Sequence, residues 1–507
     1  MKHKNLITFA LGLFLLLPLC NGQAIGGKSN SFTEKTPQEK LNYFIKLADS
    51  LRIVGKVPGV GIAIVFNQEI LYTGGLGFRE VENQIPVEKH TLFSIGSNTK
   101  AFTGILAAKL VDQELMDWDE PLKTYIPEFE LKEEYITRTV NMADALRHGT
   151  GLGRYDEIWK YKTFSRKDLL SQLKDLDFTD SYRTSYGYNN LMYTVVGVAQ
   201  ERVTGKSWED LVKDEILRPL KMNNSYATFN EFMSSDQRAI GYKGDGKTKE
   251  ISVDVTSVAP TGAISSTPED MGNWLRMLLN EGSFAGNKFL SKAAFDYVMM
   301  PGDNVGFRAP DEFWYYNAGI GGYYKQGKRT LGHNGSIDGM NSRMALKPDE
   351  GFGIFIMTNQ ISSYKELITD YAEKIFLEND YSRNPDAELG LKLNADFADF
   401  TLSLENEGIA AARKIYASMD PKYLEGGMNS LGYQLMNKGD MEKAFYVLKQ
   451  NTESHPSSSN AFDSLGEYYF ILKKFDQALS HYQTSLKLDK KNKNAEMMIR
   501  KIKEENQ

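Results

Sequence analysis

Between Ala101 and Val111 the chain reads AFTGILAAKLV, with Lys109 its sole charge. A helix that is apolar nearly all round is packed on all sides, so this segment demands a large enclosing core. Immediately before it, in LFSIGSNTK, stand Ser97 and Lys100. Residues i and i+3 share a helix face, which brings the Lys100 amine within reach of the Ser97 hydroxyl. Burial disfavours the ammonium form and lowers a lysine from its usual pKa of about 10.4. The helix N-terminus in turn favours negative charge on an alkoxide or an attacked carbonyl. The same S-x-x-K spacing recurs at Ser171/Lys174 and Ser362/Lys365. Both of those lie in charged amphipathic stretches, where a solvated lysine is expected.

With 507 residues, 41% of them hydrophobic, the chain has enough material for such a core and for more than one domain. A formal net charge of -6 argues against nucleic acid as a partner. The N-terminus, MKHKNLITFALGLFLLLPLCNGQ, places two lysines before an apolar run too short to span a bilayer as a mature helix. It reads as a secretory signal covering residues 1–22, which implies a periplasmic or secreted protein. Cys20 is the only cysteine. It is either lost with the leader or a lipid anchor, and membrane association is expected only in the second case. A mature chain without cysteine has neither disulfides nor a thiol nucleophile.

The stretch GVGIAIVFNQEILYTGGLGFRE reads as a β-hairpin turning at Asn67 and Gln68. Mostly helix and loop follow to about residue 300. Further strands are expected in RTLGHNGSIDGMNSRMALKPDEGFGIFIMTN, with a turn at Pro348–Gly351, and then an amphipathic helix from Ser363 to Leu377. Strands at both ends with helices between predict an α+β fold, one antiparallel sheet covered by helices. The polar stretch ENDYSRNPDAELG opens an expected linker at 378–400. Beyond it, at 401–507, Glu425–Ser458 aligns on Ser459–Asn492 with a period of 34 residues, superposing Gly432 on Gly466 and Ala444 on Ala478. That pattern resembles the tetratricopeptide repeat and predicts an all-α domain offering a groove to a protein partner.

FSIGSNTKAFTG, Tyr188-Asn189-Asn190 and His333-Asn334-Gly335, in that order, resemble the three motifs of the serine β-lactamase and penicillin-binding hydrolase family, especially its class C β-lactamase-like and esterase-like members. LRHGTGL and PTGAISSTPEDMGNWL are lesser similarities. The resemblance spans about residues 38–377 and implies a β-lactamase-like fold. It implies Ser97 as the acylated nucleophile. It also implies Tyr188, either a phenolate or sharing a proton with Lys100, as general base. The phenol is then expected to titrate below its usual value of about 10. Asn190 would bond the substrate amide and orient Lys100. His333 and Gly335 would belong to the substrate-binding strand, and the amides of Ser97 and Ser336 would form the oxyanion hole.

His333 stands where many β-lactamases carry lysine, and a neutral imidazole attracts a substrate carboxylate less. The expectation therefore shifts from β-lactams toward esterase, D-amino-acid peptidase or carboxypeptidase activity on small-molecule or peptide substrates. No cofactor is implied, and the scattered histidines show no metal-ligand spacing. The alternative is a penicillin-binding or sensor-like protein, acylated but slow to turn over, that signals through its repeats.

Overall fold

The computed structural model describes residues 35–160, 164–301 and 305–505. The expected leader at 1–22, with Cys20, lies outside the described residues. The large sheet contains β1 (Gly59–Phe66), β2 (Glu69–Glu80), β3 (Ile85–Pro86), β4 (Val305–Ala309), β5 (Glu312–Asn317), β6 (Ile320–Lys325), β7 (Lys328–Ile337), β8 (Met340–Lys347) and β9 (Phe352–Thr358). Its nine strands run β3-β2-β1-β9-β8-β7-β6-β5-β4. All neighbours are antiparallel. The two ends of the domain's sequence thus meet at the β1–β9 pairing in the middle of the sheet. Asn67 and Gln68 make the β1–β2 turn, both at positive φ. Strands β4, β5 and β6 were not expected from the sequence. In their aromatic and glycine-rich run consecutive residues such as Tyr315 and Tyr316 are both buried, so the alternation that marks a strand is missing.

The longer helices of this part are α1 (Pro37–Val54), α2 (Thr99–Asp112), α3 (Asn190–Thr204), α4 (Pro268–Leu279) and α5 (Tyr364–Glu373). Period-two alternation assigns the faces of the sheet. Val60, Ile62 and Ile64 of β1, with Phe352, Ile354 and Ile356 of β9, pack against α1 and α5. Ala63, Val65, Phe355 and Met357 point the other way, into the larger core built around α2, α3 and α4. At the centre of that core lies α2. Every residue from Thr99 to Ala108 is buried, Phe102 stacks on Trp274 at 3.9 Å, and Gln200 donates to the Thr103 carbonyl. Each such side chain contributes about 1.5–3 kcal/mol of burial.

The expected linker at 378–400 is instead largely occupied by α6, Pro385–Asn406, which also crosses the expected boundary at 400. Asn384 caps it and Pro385 starts it. Its Leu391 belongs to the core under α1 and α5, whereas Phe400 and Leu404 belong to the core of the C-terminal helices. The polar composition that suggested a linker comes from the exposed face of this helix. Farther on, the pair Glu425–Asn437 and Met441–Ser454 is followed by Ser459–Ile471 and Phe475–Leu488, the same bounds 34 residues later. At Gly432 an added Cβ would come within 2.4 Å of Leu448, so the small residue is what allows the first pair to close.

Candidate active site

Ser97 lies in the turn Gly96–Asn98 that feeds directly into α2. Gly96 has φ +52, and a Cβ there would lie 2.8 Å from the Ser336 backbone nitrogen. On the facing strand, a Cβ at Gly335 would lie 2.0 Å from the Ile95 carbonyl oxygen. These two glycines let β7 approach the serine turn and bring the Ser336 amide beside it.

Lys100 is wholly buried. Its Nζ lies 3.4 Å from Ser97 Oγ and donates to Asn190 Oδ1 at 2.7 Å and to the Thr261 carbonyl at 3.0 Å. All three partners are uncharged. Burial holds the amine well below the ordinary lysine value, with Asp156 opposing and Arg154 reinforcing that shift. The Tyr188 ring centroid lies 4.8 Å from the same nitrogen, and its hydroxyl lies near that of Ser97. The phenol does not titrate below its usual value as expected. Burial pushes it up to about 12, against lowering by the Ser97 hydroxyl and Arg154. The neighbour expected to lower it, Lys100, is itself held toward the neutral amine, so desolvation decides the direction.

Asn189 and Asn190 divide the second motif between structure and site. Asn189 accepts from the Met192 amide as N-cap of α3 and donates to the carbonyls of Leu152 and Gly153. Asn190 gives its oxygen to Lys100 and its nitrogen to Asp156 Oδ1 at 2.7 Å. Its amide is therefore fixed in orientation. Half-buried His333 stands on β7 with its ring centroid 6.3 Å from that of Tyr188. Its Nδ1 pairs with the Asn334 carbonyl and its Nε2 with the Tyr316 hydroxyl at 2.8 Å. Burial and Lys100 lower its pKa, leaving a neutral ring. On the reverse face of the strand, Lys365 reaches Asn334 Oδ1 and ion-pairs with Glu366. It is buried rather than solvated, a correction to the expectation for the third S-x-x-K pair; Lys174 is exposed as expected.

Ser97, Lys100, Tyr188, Asn190, His333, Gly335 and Ser336 thus lie close together around the serine turn. Four more residues of this site escaped the sequence reading. Arg154 and Asp156 follow LRHGTGL, and His148 lies within it. His148 is wholly buried and accepts from the Asn189 amide through Nδ1. Tyr316 comes from the unexpected strand β5. Among the described residues, no three His, Cys, Asp or Glu side chains are grouped to hold a metal ion.

Residues 44–375 match the Beta-lactamase family, and the chain belongs to it. Protein flp of Staphylococcus aureus (strain MW2) is 23% identical over 323 residues, 62% of each chain. The unguisins hydrolase ungD of Aspergillus violaceofuscus is 28% identical over 335 residues, 60% of this chain and 58% of its own. The chain thus spans about three-fifths of the length of these curated relatives. The octameric penicillin-binding protein homologue from Pyrococcus abyssi superposes with a TM-score of 0.59 at 22% identity, over 69% of this chain and 79% of that one. A class C beta lactamase from Rhodobacter sphaeroides gives 0.56 at 17% identity, over 66% and 99%. These likenesses concern the fold. The helices from Pro385 onward lie beyond the family match.

Proposed function

We propose that this chain is a serine hydrolase that forms an acyl-enzyme on Ser97, acting on esters or peptides. The observation that carries the reading is the buried Lys100 amine, 3.4 Å from Ser97 Oγ and without an anionic hydrogen-bond partner. The neutral amine takes the Ser97 proton as Oγ attacks the acyl carbon. Tyr188, a protonated phenol, gives its proton to the leaving group as that bond breaks. The phenolate left behind sits beside the new Lys100 ammonium and recovers a proton from it. In deacylation the amine accepts a proton from water, so no separate carboxylate base is required. The Ser97 and Ser336 amides serve the oxyanion, each donor contributing about 3 kcal/mol. A family relative named as a hydrolase supports turnover.

The 34-residue offset of the C-terminal helix pairs supports a tetratricopeptide-type array that docks a protein partner. The N-terminal sequence supports export. The test is an acylating fluorescent probe combined with short-chain ester turnover. Wild-type protein should label and turn over, and Ser97→Ala should do neither. Activity surviving in Ser97→Ala would place the nucleophile elsewhere. A labelled but undischarged adduct would favour the penicillin-binding or sensor-like reading.

A further inference from the structure

Beside Ser97 opens a cavity of about 320 Å³, whose walls include Asn190, Ser336, Trp159, Arg154, Lys160 and Asp338. Arg154 is oriented from below. Its Nε donates to Asp156 Oδ2 at 2.5 Å. Asp156 also receives Asn190 Nδ2 at 2.7 Å and Trp159 Nε1 at 3.1 Å. Three donors hold that carboxylate, whose side chain is only 16% exposed. The guanidinium carbon lies 5.2 Å from the Tyr188 ring centroid, which constrains the fork from a second side. The terminal Nη groups have no hydrogen-bond partner among the described residues.

We propose that Arg154 is the anion receptor of this active site, and that the substrate carries a carboxylate in the half that fills this cavity. This rests on the reading of Ser97 as nucleophile. A planar fork, held by one nitrogen and free at the other two, matches the two oxygens of a carboxylate. The third motif, by contrast, holds an uncharged His333 whose two ring nitrogens are occupied by Asn334 and Tyr316. On the far wall Asp338 accepts from the Val253 amide, with Glu250 and Lys160 both nearby. The loop after LRHGTGL thereby supplies the cation that the third motif lacks.

Boronic acids form reversible adducts with a nucleophilic serine and so report binding without turnover. Phenylboronic acid is compared with its 3-carboxy and 4-carboxy derivatives in wild type, Arg154→Gln, Arg154→Lys and Ser97→Ala, by calorimetric titration. In wild type at least one carboxylate derivative should bind about tenfold or more tighter than the parent, the effect of one charge-assisted contact. Arg154→Gln should bring that ratio to about one, and Arg154→Lys should restore part of it. The ratio is the readout because Arg154 also acts on Lys100, and that effect is common to all three compounds. Equal binding of the three compounds by wild type, or a preference surviving in Arg154→Gln, overturns the assignment of Arg154 and leaves Ser97 untouched. Absence of binding by wild type, or binding that persists in Ser97→Ala, overturns the nucleophile reading and the proposal with it.

Discussion

An amine surrounded by a hydroxyl, a carboxamide oxygen and a peptide oxygen has no anion in contact to offset the loss of water. Burial therefore lowers the Lys100 pKa, and under the proposed mechanism the rate should depend on pH accordingly. With the neutral amine as the proposed active form, kcat/KM should fall as pH drops through its lowered pKa. On the alkaline side no limb is expected until Tyr188 ionises at about 12. His333 is already neutral and should contribute no limb near pH 6–7, so wild type and His333→Asn should give pH–rate profiles of the same shape. A bell with an arm that His333→Asn removes would contradict this. Stability carries a related signature. His148 and His333 are both held below the ordinary histidine value, mainly by burial, so the unfolded chain binds more protons than the folded one. Stability is then complete above about 6.5 and is lost as pH falls below it. Thermal unfolding should give a Tm that drops between about pH 7 and pH 5, with a shallower slope in His148→Gln.

Strand β7 presents its residues to the nucleophile turn only because two glycines allow the approach. Gly335→Ala would place a methyl 2.0 Å from the Ile95 carbonyl oxygen and 2.4 Å from Ser342 Oγ. The strand would have to retreat, carrying the Ser336 amide with it. A loss of at least tenfold in kcat/KM is expected, with the circular dichroism spectrum preserved. Gly390→Ala is the control: it lies within α6 with nothing inside 4 Å of the added methyl. It should leave the rate unchanged and stabilise the helix by about 0.5–1 kcal/mol. The elements of this site were legible in the sequence to different degrees. Ser97 and Lys100 are read from one helical spacing on an unusually apolar helix, and Tyr188 and His333 from short motifs. Arg154, Asp156 and Tyr316 reach the cleft from separate loops and strands, through contacts that no local period records. The Tyr188 pKa is illegible locally for the same reason: burial in the assembled site outweighs the lowering by Ser97 and Arg154.

At the scale of the molecule, α6 joins the sheet domain to the C-terminal helices as a shared structural member. Leu391 is buried under α1, where it lies against Gly55. Lys56 pairs with both Asp396 and Asp399, at 2.8 and 2.5 Å. A chain ending at Glu378 loses all of these contacts. Removing one buried leucine side chain costs about 2–5 kcal/mol, whereas the half-exposed charge pairs add less. The truncated protein should therefore melt well below the full chain, and Leu391→Ala in the full chain should reproduce a large part of that loss. The rate should behave differently. Leu391 packs on the sheet face opposite the core that holds α2, and none of the side chains around Ser97 comes from beyond Ile361. At a temperature where both proteins are folded, kcat/KM on a short-chain ester should agree within about threefold, well under 1.4 kcal/mol of barrier. A folded truncation whose activity had dropped a hundredfold would mean that the C-terminal helices shape the cleft. The segment to suspect would then be Lys243–Gly244, which Ala398 approaches closely enough that a Cβ on Gly244 would come within 2.6 Å of it.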